Sequence, residues 1–458
     1  MPINSFDDYP MSWIPNKSKL KKPIYLSIAN ELITDIEEGV LEANTKLPPQ
    51  RELADYLDLN LSTITKAFKY CELNGYIYGI TGKGTFVSQN RVEKNDMFLS
   101  ANEKITNLGL VEPYYEYDHY SLKVAQEVLR QPNALTLFTY DSPIGTKSQI
   151  ASAKRWLKEL NVEVSEDQIA IFPGVQNTLT ILLIAMFHPG DRIAVDKYTY
   201  TNFVKLANQL NLRLVPIEGD QEGMLPKVLK QECSNKEIKG IFLMPTLSNP
   251  TNTIMGVARK KELSKIIKEY ELLLIEDETY NFLLDEPVTP LISIIPEQTI
   301  YVHGVSKEFS AGLRVAFVVV PEILRECILD TAINVNLKGN ALSAEIVSRL
   351  IDTKVAKTMV RKKRRKAKRY TEIFKRQFPS HTPNIRFFQW IQLPDSINAK
   401  EFEEKATQHE VRILGSHQFV VGEQVKQSYI RIALSSVKSE KELETSLVKL
   451  KALIESYQ

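Results

Sequence analysis

The stretch "TIYVHGVSKEFSAGLRVAFVVVP", residues 299–321, decides how this chain is read. Two apolar, β-branched runs, "TIYVHG" and "RVAFVVVP", flank a loop that holds Lys307 between Ser306 and Arg314. Runs that are apolar at consecutive positions predict strands buried on both faces, as in a parallel sheet covered by helices. The same kind of run recurs upstream in "QIAIFPG", "DRIAVD", "IKGIFLMP" and "LLLIEDE", separated by stretches of helical period. From about Tyr114 the chain is therefore expected to form an α/β domain covering 114–458. Past Leu324, long helices and the strands "IRFFQWIQLP" and "SYIRIALSS" predict a smaller α+β subdomain over about 325–458.

Upstream the rhythm differs. "IYLSIANELITDIEEGVL", "QRELADYLDL" and "LSTITKAFKYCELNGY" carry three short helical periods, and "IYGITGKGTFVS" reads as two strands around a Gly-Lys-Gly turn. Three helices and a hairpin make a small winged-helix pattern over 23–89, preceded by a proline-broken arm (1–22) and followed by a polar linker (90–113). A turn around Asn60 separates the second and third helices, and Ser62 is the expected N-cap of the third. That helix shows Thr63, Thr65, Lys66 and Lys69 to solvent, short polar groups and cations suited to base edges and phosphates in a major groove. Lys83 at the hairpin tip is placed for a backbone or minor-groove contact. A small helical dimerisation module has the same pattern, so spacing alone leaves both readings open.

Bulk properties narrow the classes. A length of 458 residues implies more than one domain, and a net charge of +2 gives no whole-molecule pull toward nucleic acid, so DNA binding must rest on a local motif. No apolar run approaches the ~20 residues that span a bilayer, and the opening lacks the basic-then-apolar form of a signal peptide. The expectation is a cytoplasmic protein with no membrane partner. Three scattered cysteines and six isolated histidines form no ligand pattern, so no metal site is expected.

The loops that end the predicted strands carry the chemistry, because ligands of open α/β sheets collect at the carboxyl ends of strands. Taken together they supply what a pyridoxal 5'-phosphate site requires. Lys307 offers the amine for a Schiff base; Asp277, closing "LLLIED", is placed to keep a pyridine nitrogen protonated. Tyr280 and Asn249 can hydrogen-bond the phenolic oxygen of the ring. Gly174 followed by Val175, Gln176 and Asn177 offers helix-start N–H groups to a phosphate, with Ser306 and Arg314 completing the cradle. Tyr200 can stack on the ring, and Arg431 can hold an effector carboxylate by a bidentate fork. Singly, each residue has a plain structural reading as a cap, a core ring or a strand arginine. The basic run "RKKRRKAKRY" (361–370) reads as a solvated helix face.

Two resemblances sharpen this. "LPPQRELADYLDLNLSTITKAFKYCELNGYIYGITGKGTFV" (47–87) is similar, element by element, to the winged helix-turn-helix of the GntR family, which implies DNA contacts by Arg51, Ser62, Thr63, Thr65, Lys66 and the wing. Residues 114–458 resemble fold-type I, class I aminotransferases, with every motif in the family's order. The resemblance puts Lys307 on the Schiff-base lysine, Asp277 on the pyridine partner, Tyr280 and Asn249 on the phenolic-oxygen partners, Arg314 on the phosphate arginine and Arg431 on the carboxylate arginine. Tyr140 is matched to a tyrosine that reaches the phosphate of a neighbouring subunit, at looser spacing. Gly304 stands where many members carry a phosphate-binding serine, which implies weakened cofactor affinity, and Asn252 replaces the usual glycine after Asn-Pro-Thr. The fusion resembles the MocR subfamily of bacterial transcription regulators. It implies a homodimer that binds double-stranded operator DNA and senses pyridoxal phosphate or its adduct with an amino acid or amine. An active aminotransferase with a DNA-binding appendage is the alternative, since the residues for a half-transamination are retained.

Overall fold

The computed structural model describes residues 12–37, 40–42, 45–73, 75–80, 82–88, 105–140, 142–379, 385–422 and 427–457. The chain divides into two units, Met1–Ser100 and Ala101–Gln458. The start of the arm (1–11), residue 89 and the first part of the expected linker (90–104) lie outside the described residues.

The first unit is three helices, Ile24–Glu37, Gln50–Leu57 and Leu61–Leu73, and an antiparallel hairpin, Ile77–Ile80 with Gly84–Val87. Helix Leu61–Leu73 buries Ile64, Ala67, Phe68 and Cys71, the i, i+3, i+4, i+7 spacing of one helical face, against Ile28, Leu32 and Leu53. Its first turn corrects one expectation. Asn60, not Ser62, closes the N-terminus: the Asn60 Oδ1 accepts from the Ser62 N–H at 2.9 Å and the Asn60 carbonyl from the Thr63 N–H at 2.8 Å. Ser62 is left inside the helix and exposed. Trp13, which had no sequence reading, is 4% exposed within this core and donates its indole N–H to Asp35 at 2.7 Å.

The second unit is built on a seven-stranded sheet in the order Ile169–Phe172, Ala316–Val319, Thr299–Gly304, Leu273–Asp277, Ile238–Leu243, Arg192–Asp196, Arg213–Ile217. Ala316–Val319 runs antiparallel to both of its neighbours, and the remaining pairings are parallel. Ile169–Phe172, Thr299–Gly304 and Ala316–Val319 are buried along their whole length, which is why they read as continuous apolar runs. The antiparallel strand has a consequence for the site. Gly304 pairs with Ala316, and Ala316 with Phe172, so Arg314 is delivered to the edge where the neighbouring parallel strand ends. A long helix, Val355–Gln377, leads to an antiparallel three-stranded sheet of Phe388–Gln392, Tyr429–Ala433 and Leu414–Gly415. Thr106–Asn107, inside the stretch expected as linker, pairs in parallel with Val411–Arg412 of this unit.

Candidate functional site

At the carboxyl edge of the large sheet, loop geometry gathers most of the sequence-marked residues. Asp277 ends its strand, 2% exposed, and its Oδ1 accepts from the Thr279 N–H (3.0 Å) and Thr279 hydroxyl (2.6 Å). Burial pushes its pKa up to about 6 against the pull of those two hydrogen bonds and of His303. Tyr280 is buried with its ring edge-on to Phe388 at 5.3 Å, and burial raises its phenol pKa. Tyr200 is half-buried and accepts from Asn202 at 3.1 Å; burial lifts its pKa, with Asp277 adding to the rise and Arg431 and Arg314 opposing it.

Lys307 lies three residues beyond the end of strand Thr299–Gly304, and its ammonium donates to the carbonyl of Val111. Burial lowers its pKa to about 8; Arg431 and Arg314 lower it further, and Glu112 opposes them. Arg431 is 4% exposed on strand Tyr429–Ala433, donating from Nη1 to Asn249 Oδ1 at 2.7 Å and from Nη2 to the Gly109 carbonyl. Both acceptors are neutral, and among the described residues its Nε has no hydrogen-bond partner. A buried guanidinium without an anion carries a desolvation cost, which lowers its pKa to about 10. It fits a ligand carboxylate.

A second cluster forms around Gly174, the N-cap of helix Val175–Met186, at φ +81°. A Cβ there would stand 2.7 Å from Arg314 Nη2, so the guanidinium occupies the space that glycine leaves. Arg314 Nη1 donates to the Ser306 hydroxyl at 2.9 Å. Val175, Gln176 and Asn177 form the first helical turn, whose N–H groups have no intrahelical acceptor. Asn177 is committed through its side chain to Asn336, at 2.8 Å, whereas the Gln176 Oε1 is buried without a partner. Helix N–H groups, a hydroxyl and a guanidinium are a donor set suited to a phosphate. Tyr140 is 83% exposed.

The two departures from the family pattern acquire physical reasons. A Cβ at Gly304 would meet Val175 Cγ2 at 2.3 Å, so the valine fills the space a serine would use. Asn252 adopts φ +62°, a conformation asparagine tolerates better than most residues, and donates to the Phe388 carbonyl at 2.7 Å.

The basic run is a solvated face over only part of its length. On helix Val355–Gln377, Lys363 is fully buried and donates to the carbonyls of Phe309 (2.5 Å) and Lys307 (3.2 Å). Lys362 donates to the Tyr120 hydroxyl at 2.6 Å, Arg364 to the Phe282 carbonyl, and Lys366 pairs with Glu116 over the Tyr114 and Tyr370 rings. Only part of the run, Arg361, Arg365, Lys368 and Arg369, is solvent-facing. Of the inward cations, Lys363 pins the loop that carries Lys307. From the other side His303 and Trp156 hold the Glu308 carboxylate at 2.8 and 3.1 Å, and Asp118 holds the Ser310 hydroxyl at 2.8 Å. Sequence reading missed Gly109, Val111, Glu112, Thr279, His303 and Lys363. The hydrophobic spacing of 356, 359, 360, 363, 367 and 370 on one helix face was the available signal for the last.

In the first unit Arg51, Ser62, Thr65 and Lys66 are exposed and Thr63 is half-exposed. The Thr65 hydroxyl is tied to Gln50 at 2.8 Å, joining the second and third helices on the exposed face. Lys83 stands exposed at the turn between the strands. Among the described residues no helix is long and apolar enough to cross a membrane, and no cluster of His, Cys, Asp and Glu is placed to hold a metal.

Comparison with known proteins matches each unit separately. The model for aminotransferase class I and II covers residues 103–450, and that for bacterial regulatory proteins of the gntR family covers 24–87. The HTH-type transcriptional regulator YdeF of Bacillus subtilis (strain 168) is 36% identical over 99% of both chains. The vitamin B6 salvage pathway transcriptional repressor PtsJ of Salmonella typhimurium is 26% identical, over 63% of this chain and 67% of that protein. Among solved structures, an archaeal alanine:glyoxylate aminotransferase superposes with a TM-score of 0.71 at 22% identity, covering 77% of this chain and 91% of its own. The α-aminoadipate aminotransferase LysN of Thermus thermophilus, complexed with N-(5'-phosphopyridoxyl)-L-leucine, gives 0.70 at 17% identity, over 78% and 93%. At these identities the structural likeness speaks for the fold.

Proposed function

Because the chain belongs to the GntR-family transcriptional regulators of MocR type, in which a winged helix is joined to an aminotransferase class I and II domain, we propose that it is a DNA-binding regulator whose second unit binds pyridoxal 5'-phosphate and senses it, or an amino acid or amine joined to it. Pyridoxal phosphate is the usual cofactor of this fold. When bound it supplies an electrophilic carbon that captures an amine and a ring that withdraws electrons. Lys307 is the attachment point, with its amine kept near pKa 8 by burial and so partly neutral at physiological pH. Asp277 holds a ring N–H, with Thr279 fixing the carboxylate's direction. Tyr280 and Asn249 hold the phenolic oxygen, and Tyr200 covers a ring face. Val175, Gln176, Asn177, Ser306 and Arg314 hold the phosphate, with Tyr140 assigned to the phosphate of a partner subunit in a homodimer. Arg431 takes the effector carboxylate. Arg51, Ser62, Thr63, Thr65, Lys66 and Lys83 contact operator DNA.

The observation that carries this reading is the pairing of two cations, one half-buried and one buried, with complementary needs. Lys307 has a depressed pKa and a carbonyl as partner, and Arg431 has no anionic partner among the described residues. The retained set also suits the alternative of an aminotransferase with a DNA-binding appendage. Visible absorption of the protein with added pyridoxal phosphate, wild type against Lys307→Ala, tests the anchor. A band lost in the variant is expected; no band in either sinks the cofactor reading. Operator affinity measured with and without amino acids, beside an assay for keto-acid release, then separates regulator from enzyme.

A further inference from the structure

Both cations of the site are held by one short strap of main chain. Thr106–Asn107 pairs with Val411–Arg412, with the Thr106 N–H donating to Glu410 O (2.9 Å) and the Leu108 N–H to Arg412 O (2.7 Å). The Ala433 N–H donates back to Leu108 O at 2.7 Å. Asn107 Oδ1 then turns the chain by accepting from the Gly109 and Leu110 N–H groups at 2.9 and 3.3 Å. The next carbonyls meet the site: Gly109 O accepts from Arg431 Nη2, and Val111 O from Lys307 Nζ. Glu112 follows, half-buried and electrostatically coupled to Lys307. In sequence the strap directly follows the segment that leads back to the winged-helix unit.

We propose that the strap, residues 105–112, is a built-in competitor for the effector: its Gly109 carbonyl holds the guanidinium nitrogen that a carboxylate must use, so a carboxylate-bearing ligand unlatches it. The inference rests on the reading of Arg431 as the effector's carboxylate partner. Nη2 carries one N–H on the end-on edge and one on the side-on edge of the guanidinium, so either bidentate approach makes a carboxylate share this nitrogen with the Gly109 oxygen already bonded to it. Where the two oxygens need the same N–H they compete, and the charged one makes the shorter and stronger bond. The displaced carbonyl cannot stay buried without a donor and must turn toward water or a new partner. Leu108 and Val111 are buried anchors on either side, 0% and 5% exposed, so the element that changes is the Gly109–Leu110 stretch between them. Attachment of a cofactor at Lys307 Nζ removes the donor of Val111 O as well. Ligand occupancy therefore acts on the last part of the stretch expected as linker, which is the differential contact a sensor requires. By reciprocity, whatever loosens the strap tightens binding of a carboxylate ligand.

Hydrogen exchange on the full-length protein tests this with two stable adducts, N-(5'-phosphopyridoxyl)glycine and N-(5'-phosphopyridoxyl)methylamine, which differ by the carboxylate. Saturation with each is checked by calorimetry. The amides of Gly109 and Leu110 are expected to exchange roughly tenfold faster with the glycine adduct and to be unchanged with the methylamine adduct. Asn107→Ala, which removes the turn beneath Gly109, is expected to raise affinity for the glycine adduct several-fold and to leave the methylamine adduct alone. If the glycine adduct binds more tightly through Arg431, as judged with Arg431→Gln, while strap exchange stays the same or slows, the competitor idea is overturned and the carboxylate reading survives. If the two adducts bind equally, or neither binds, the reading of the site itself fails and the inference goes with it.

Discussion

Replacing Lys363 by methionine keeps the apolar stem but removes the ammonium that donates to the carbonyls of Phe309 and Lys307. Each carbonyl deprived of its donor costs ~1–3 kcal/mol. Against that, burial depresses the lysine pKa from 10.5 to about 8, and at ~1.4 kcal/mol per unit the charged form carries a cost of ~3 kcal/mol at neutral pH. The two effects offset near pH 7, so the variant should fold with a stability within ~3 kcal/mol of wild type. The pH dependence separates them. Between about pH 8 and 10.5 the unfolded chain keeps the proton that the folded chain has released, so wild-type stability rises with pH across this window. Methionine lacks that rise, and the shifted Lys307 is common to both proteins, so the gap in favour of wild type should widen by up to ~3 kcal/mol. Urea unfolding of the second unit at pH 7 and pH 10 measures it. The loosened loop should also weaken pyridoxal phosphate binding by roughly 10- to 100-fold, about 1.4 to 3 kcal/mol, read from the visible band. A flat stability gap together with unchanged cofactor affinity would refute the assignment of Lys363 as the residue that positions the Lys307 loop.

Three further outcomes are expected. Burial raises Asp277 to about 6, so its ionised form costs stability that sets in as pH rises from about 3.8 through 6 and amounts to ~3 kcal/mol at pH 7. Asp277→Asn should therefore raise the melting temperature of the cofactor-free protein at pH 7 while shrinking the stabilisation added by pyridoxal phosphate; a lower cofactor-free melting temperature would contradict this. Gly304→Ser forces a Cβ against Val175 and should cost ~1–3 kcal/mol, with recovery in the double variant Gly304→Ser, Val175→Ala; tighter cofactor binding by the single variant would show that the valine does not block the site. Lys66→Gln should weaken DNA binding evenly across sequences and lower the salt slope by about one, and a change confined to one base position would instead make Lys66 a base-reading residue.

The elements, and the order in which the candidate site residues follow along the chain, are legible in consecutive residues. Apolar runs at 169–172, 273–277 and 299–304 are buried on both faces, so their strand character was written in consecutive residues. Asp277, Lys307 and Arg314 follow or precede those runs at strand ends, where local spacing places them. The third helix of the first unit was legible from its apolar face, but its cap was misassigned because Asn60 and Ser62 are both good caps and only the backbone path selects between them. Tertiary structure alone decided what the cations touch. Lys363 reaches the Lys307 carbonyl across 56 residues of sequence, and Arg431 reaches Gly109 across 322. A lysine in a basic run reads as solvated because charge is expensive to bury, and nothing local reveals that two carbonyls stand opposite to receive it. The strap was read as linker for the same reason: "TNLGLVEP" has weak periodicity of its own, and its order comes from Arg412, Ala433, Lys307 and Arg431, far away in sequence. Periodicity and capping are properties of neighbours along the chain. The satisfaction of buried donors and acceptors belongs to the folded whole.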